Sequence, residues 1–143
     1  MKEVNLYIDT SIKGPKRRDG YYIYILDYTT ESKQQHQVND ICKIPNTTEN
    51  VLTLEAMAAA LVRIKIPCTL HIYLECRHVA NAFRNGWLDN WKSNGWKNAK
   101  GETVAEAERW QQVCELLDKH ECHIHMKERH EYRSWMKWKM TGA

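Results

Sequence analysis

The sequence predicts an α/β fold: a meander of three strands, then two further strands reached through helices. Three observations carry this. Apolar and polar residues alternate with a period of two in well-separated segments, a turn-rich loop separates two of the β-prone runs, and apolar residues recur at helical spacing between the later strands. Val4, Leu6 and Ile8 alternate with Asn5, Tyr7 and Asp9, giving a first strand that ends at Asp9. Gly14 to Gly20 is a basic, turn-rich loop. Tyr21 to Tyr28 is rich in aromatic and β-branched residues and predicts a second strand; Gln35 to Lys43 predicts a weaker third.

Beyond the Pro45–Asn50 loop, Leu54, Met57, Ala58, Leu61 and Val62 repeat at helical spacing, with Thr53 or Asn50 as the cap and Pro67 closing the helix. Leu70, Ile72 and Leu74 then alternate with His71, Tyr73 and Glu75, so a fourth strand ends at Glu75. Short helices are expected over Arg77 to Phe83 and Trp87 to Trp91, followed by a protruding loop through Gly101. Thr103-Val104-Ala105-Glu106 reads as a capping box. The helix after it carries the stripe Val104, Ala107, Trp110, Cys114 and Leu117. His120 to Met126 is a fifth strand and Glu131 to Met140 a terminal helix. Strands joined through helices must run parallel to a neighbour.

At 143 residues the chain has the length of one domain, read here as residues 1–143 with a basic protrusion at about 84–101. Apolar residues make up 43% and charged residues 27%, as in ordinary globular proteins. No segment approaches the roughly 18 apolar residues of a membrane span. The N-terminal residues lack the apolar core of a signal peptide, so the expected location is cytoplasmic. The five cysteines are odd in number and contain no CxxC pair, which predicts free thiols. His120, Cys122, His123 and His125 suggest zinc by composition, but on a strand Cys122 and His123 point to opposite faces.

The net charge is only +3, yet the basic residues are clustered. Lys13, Lys16, Arg17 and Arg18 share one loop. Arg84, Lys92, Lys97 and Lys100 surround the tryptophan-rich stretch, and Lys127, Arg129, Arg133, Lys137 and Lys139 crowd the C-terminus. Such clusters suit a polyanion. Asp9 and Glu75 each end a strand, out of phase with its aliphatic set. On parallel neighbouring strands both emerge at one sheet edge on one face. Glu55, expected in the first turn of the intervening helix, would lie above the same edge. Carboxylates brought this close repel unless cations neutralise them, and Mg2+ takes such oxygen ligands together with water.

Along nearly its whole length the chain resembles a type 1 ribonuclease H. Ile8-Asp9-Thr10-Ser11 resembles the family's strand-ending D-G-S, Leu54 to Ala59 its M-E-L-M-A-A helix, and Tyr73 to Val79 its Y-T-D-S-Q-Y-V. Trp87 to Ala99, with Trp110 fourteen residues after Trp96, resembles the family's basic protrusion and the helix behind it. The resemblance implies a mixed five-stranded sheet in the order 3-2-1-4-5, three antiparallel strands then parallel ones, flanked by helices. It implies endonucleolytic hydrolysis of the RNA strand of RNA–DNA hybrids, giving 5′-phosphate and 3′-hydroxyl ends. Two Mg2+ ions, with Mn2+ as the alternative, would be held by Asp9, Glu55 and Glu75, and His130 would join catalysis. Thr10, Ser11, Asn50, Arg77, Trp87, Trp91, Lys92, Trp96, Lys97 and Lys100 would contact the nucleic acid. A monomer without a small-molecule cofactor or a membrane partner is expected.

The chain departs from that pattern at four places. Thr10 replaces a glycine, Glu75 an aspartate, and Ser134 or Trp135 stands where a fourth carboxylate is usual. The loop before the last helix is shortened to Glu128-Arg129-His130-Glu131. Two alternatives follow: a hybrid-binding protein with little or no catalysis, and a DNA-cleaving relative, against which the protrusion argues.

Overall fold

The computed structural model describes residues 2–142. In chain order the elements are β1 (Glu3–Thr10), β2 (Arg18–Thr29), β3 (Gln35–Thr47), α1 (Glu49–Leu61), β4 (Thr69–Leu74), α2 (Arg77–Arg84), α3 (Trp87–Ser93), α4 (Ala107–Leu117), β5 (Glu121–Met126) and α5 (Arg133–Thr141). The strands form one sheet in the order β3-β2-β1-β4-β5. β2 is antiparallel to β1 and β3, while β1, β4 and β5 run parallel. Element order, strand order and directions agree with the expectation.

The alternation seen in the sequence sorts side chains onto two faces. Val4, Leu6, Ile8, Leu70, Ile72 and Leu74 bury themselves with Leu54, Met57 and Leu61 of α1 and with Trp110 and Val113 of α4. On the opposite face Tyr7, Ile23 and Ile25 form a smaller cluster with Met136 and Met140 of α5. Buried Asp27 fastens that helix by accepting the Tyr132 hydroxyl at 3.0 Å. Cys122 and His123 do part to opposite faces: Cys122 packs against the main core, while the His123 ring stacks on His71 at 5.0 Å.

Several boundaries differ from the expectation, each for a local reason. β3 runs on through Pro45 to Thr47, because an edge strand tolerates a residue with no N–H to donate. α1 is capped by Thr48, neither Thr53 nor Asn50; its Oγ1 accepts the Val51 N–H at 3.3 Å. Glu55 therefore falls in the second turn, not the first. Pro67 does not close the helix. Its end comes earlier, where the Arg63 and Ile64 amides bond back to Ala60 and Leu61 and tighten the last turn. The capping box does not form either. Thr103 bridges Lys97, Glu106 takes φ 60°, and its carboxylate bonds Arg109. α4 thus begins at Ala107 without a side-chain cap. Thr48→Ala is expected to destabilise the protein by about 1 kcal/mol, read as a lower urea midpoint. No change would mean that the cap is idle.

Candidate active site

β1 and β4 pair in parallel up to Tyr7 and Tyr73, whose rings stack at 4.7 Å. Two residues further along each chain come Asp9 and Glu75. Both lie where these adjacent strands end, Glu75 one residue beyond β4, and a strand's period of two directs them towards the face of the two tyrosines. Asp9 is 3% exposed, and its Oδ1 accepts the Thr10 N–H at 2.8 Å and Lys13 Nζ at 2.5 Å. Thr10, also buried, turns its hydroxyl to the Ile12 carbonyl at 3.0 Å. Ser11 spends its Oγ on the Tyr21 N–H at 2.8 Å. Both side chains shape the turn after Asp9. Gly20 of β2 packs against that turn, where a Cβ would lie 2.7 Å from Ile12 Cδ1 and force the buried Ile12 side chain to shift.

Glu75 is half-buried and pairs with Arg133 Nη2 at 3.0 Å. Arg133 opens α5, and the next two residues, Ser134 and Trp135, are exposed and carry no charge. A cation therefore meets Glu75 at the start of the last helix. His130 lies over Tyr7, with ring centroids 4.5 Å apart, and its Nδ1 accepts the Tyr132 N–H at 3.3 Å. Burial lowers the pKa of His130, while Glu75 and Asp9 pull it upward, so all three share one electrostatic neighbourhood.

Glu55 is not gathered with them. It is 37% exposed and bonded to Arg109 Nε of α4 at 2.6 Å, while Arg109 Nη1 holds Glu106 at 2.6 Å. The part of α1 that meets the strand ends lies nearer its start, where Asn50 Oδ1 accepts the Cys76 S–H at 3.1 Å. Among the described residues no group of three or more His, Cys, Asp or Glu converges as a metal site. The strand-end pair still supplies hard carboxylate oxygens, the donors that Mg2+ or Mn2+ takes with water and phosphate oxygens. The counter-ions were not legible in the sequence: Lys13, Arg109 and Arg133 each neutralise one of the predicted acids.

The protrusion divides its labour. Trp91 meets Trp110 edge to face at 5.6 Å, Trp87 lies 6.2 Å from Trp91, and Trp96 is half-buried against the same cluster. These rings are in large part a platform. Lys92, Lys97 and Lys100 are exposed on it, as is Arg77 at the start of α2. The tip is fixed by Asn98, whose Oδ1 accepts the Lys100 and Glu102 amides at 2.9 and 3.1 Å.

The profile of the RNase H family matches residues 1–133. The chain belongs to the RNase H family. A Clostridium botulinum protein named Ribonuclease H is 35% identical over 122 residues, covering 84% of this chain and 78% of that protein. One from Chlorobium phaeovibrioides, of the same name, is 32% identical over 130 residues, covering 90% and 84%. Among solved structures, LC9-RNase H1, described as a type 1 RNase H with the type 2 active-site motif, superposes with a TM-score of 0.79. It is 18% identical, with 99% of this chain and 72% of that one covered. The foamy viral protease-reverse transcriptase in complex with RNA/DNA hybrid gives a TM-score of 0.67 at 16% identity, covering 95% of this chain and 18% of that one. At these identities the structures speak for the fold. The RNase H family is a nuclease family and generally uses divalent metal ions.

Two histidines, His130 at this site and His120 at the opposite end of β4 and β5, give titration a stability consequence. Burial lowers the pKa of both His130 and His120, and each accepts a backbone amide at Nδ1, from Tyr132 and Cys68 respectively. The folded state therefore favours the neutral rings. Below the ordinary histidine pKa of about 6.5 the unfolded chain takes up these protons first. Stability is fully present above that pH and is lost as pH falls towards the lowered folded values. The urea midpoint in metal-free buffer is expected to drop between pH 7.5 and 5, with a shallower slope in His120→Gln and His130→Gln. Identical slopes would refute the assignment.

Proposed function

We propose that this chain hydrolyses the RNA strand of RNA–DNA hybrids endonucleolytically, leaving 5′-phosphate and 3′-hydroxyl ends. The observation that carries the reading is the placement of Asp9 and Glu75 at the ends of adjacent parallel strands, within a family of nucleases. Asp9 and Glu75 would hold the divalent ions, Mg2+ or Mn2+, two of them by the expectation from the sequence. When bound, such ions activate water and neutralise charge at the scissile phosphate. Lys13 is 50% exposed, so its side chain is free to leave Asp9 for a substrate phosphate. Tyr7 and Tyr73 exclude water beneath the carboxylates, and His130, neutral at physiological pH, is placed to take or return a proton at its ring nitrogen.

Hybrid recognition would follow from minor-groove 2′-hydroxyl contacts near Thr10, Ser11, Asn50 and Arg77, with Lys92, Lys97 and Lys100 on the DNA phosphates. Trp87, Trp91 and Trp96 would orient those lysines. Each Lys→Ala change there is expected to weaken hybrid binding and to reduce the slope of log K against log salt by about 1. An unchanged slope in fluorescence-anisotropy titrations would remove the protrusion from the interface. The protein is proposed to act in the cytoplasm as a monomer of one RNase H unit, without a small-molecule cofactor. Among the described residues no helix is long and apolar enough to cross a membrane.

The test is cleavage of a labelled RNA–DNA hybrid, double-stranded RNA and duplex DNA, in Mg2+ and separately in Mn2+. Hybrid cleavage with the stated end groups supports the proposal, and cleavage of duplex DNA alone overturns it. One observation favours a second reading, a hybrid-binding protein without catalysis: the basic partners on Asp9 and Glu75 compete with any metal ion. Tight hybrid binding without cleavage in either metal would establish that reading.

A further inference from the structure

We infer that the outer face of α5, built on Trp135 and Trp138 and edged by Lys137 and Lys139, is a stacking platform for single-stranded nucleic acid that continues past the hybrid. That role rests on the nuclease reading above, in that the hybrid lies across the strand ends. Met136 and Met140 bury α5 against Tyr7, Ile23 and Ile25 of the sheet. A helix turns about 100° per residue, so the two tryptophans, three positions apart, share the side away from the methionines. Trp135 is 38% exposed and Trp138 54%. Trp87, Trp91, Trp96 and Trp110 all pack against the main core on the other face of the sheet. Adjoining indoles left in water form an apolar patch of the kind that another molecule covers.

Charge narrows what that molecule is. Within Arg133–Thr141 the charged residues are Arg133, Lys137 and Lys139, and none is acidic. Lys137 and Lys139 are exposed beside the indoles. On the same side of the sheet Lys43 lies over the Tyr21 ring at 5.9 Å. Asp27 there is buried and held by the Tyr132 hydroxyl and by Gln35, and the exposed Glu131 precedes the helix. Indoles edged by ammonium groups suit a single strand, whose bases stack on rings while its phosphates meet cations. An anionic membrane fits less well. An interfacial helix sinks a whole apolar face into lipid, whereas the methionines of α5 are already spent on its own sheet.

Position ties the platform to the hybrid. Arg133 opens α5 and holds Glu75 at 3.0 Å, and Trp135 follows two residues later. The platform thus begins within one helical turn of the strand-end acids. Along the axis the two tryptophans are ~4.5 Å apart, near the roughly 3.4 Å spacing of nucleotides in a stacked strand, so the rings can take neighbouring bases. The match to the RNase H profile ends at residue 133, and the tryptophan-bearing part of α5 lies beyond it. The protrusion, on the other face of the sheet, is a separate surface.

The test measures binding of the full chain by fluorescence anisotropy in metal-free buffer. The probes are a blunt RNA–DNA hybrid and the same hybrid with a single-stranded DNA extension at one end or the other. Wild type is expected to bind one extended hybrid about tenfold or more tighter than the blunt one. That advantage should vanish when Trp135→Ala and Trp138→Ala are combined, and survive in part when both become phenylalanine, whose ring still stacks. Binding and cleavage of the blunt hybrid should stay as in wild type. Thermal midpoints show whether the variants are folded, and the phenylalanine pair decides the matter should the alanine pair misfold. Equal affinity of wild type for blunt and extended hybrids overturns the platform, as does an advantage that survives the alanine pair; cleavage of the blunt hybrid then leaves the nuclease reading standing. Cosedimentation with phosphatidylserine vesicles that the alanine pair abolishes, with the extended-hybrid advantage intact, assigns the face to a membrane and overturns it too. A tryptophan-dependent advantage without cleavage of any hybrid in Mg2+ or Mn2+ supports the platform and sinks the nuclease reading alone.

Discussion

Asp9→Asn is expected to lower hybrid cleavage by more than about a hundredfold, with little change in fold. Even a residue that merely orients a metal ligand is worth 10–100-fold in activity or metal affinity, so a ligand that itself touches the ion should exceed that range. Asparagine keeps the oxygen that accepts the Thr10 amide and nearly the same volume, so it fits the buried position of Asp9, which is 3% exposed. What disappears is the negative charge that draws Lys13 and would draw a cation. Single-turnover cleavage in Mg2+, with a thermal midpoint to show the fold is intact, checks it. Cleavage within a few-fold of wild type would remove Asp9 from the reaction and with it the reading of the strand ends.

Trp110→Ala is expected to cost about 3–5 kcal/mol, the range for deleting a fully buried aromatic side chain. Trp110 is 1% exposed and packs edge to face against both Phe83 of α2 and Trp91 of α3, at 5.7 and 5.6 Å. Its loss opens a cavity beneath the platform that carries the exposed lysines. The stability of a domain is typically only about 5–15 kcal/mol, so the variant should approach the unfolding threshold. Its hybrid affinity should also fall, because the protrusion loses its footing. Urea denaturation gives the first quantity and anisotropy the second. A loss below about 1 kcal/mol would show that the tryptophan cluster is not the support described.

Much of the fold was legible because periodicity and chirality constrain it. Alternation along β1 and β4 by itself assigns Asp9 and Glu75 to one face, and helix-linked strands had to be parallel. Helix starts were less legible. Thr48, Asn50 and Thr53 are all competent caps by residue type, as Thr103 is, and only packing selects among them. At α4 the choice went to a left-handed Glu106 and an ion pair with Arg109, which no local rule foretold. The counter-ions Lys13, Arg109 and Arg133 were equally hidden. Each reaches its acid through a long side chain whose direction depends on tertiary neighbours.

The sequence by itself determined the order of the elements, the two strand-end acids and the basic, tryptophan-lined protrusion, since all three follow from short-period patterns and local composition, while the order of the strands in the sheet came from the resemblance. Only the tertiary structure decided that Glu55 turns away from the strand ends to Arg109 of α4. A helix turns about 100° per residue, so the few residues between Glu49 and Glu55 separate a side chain beside the Asp9 loop from one facing α4. That azimuth is set by the packing of α1 on the sheet and on α4, where the residues involved are far apart along the chain.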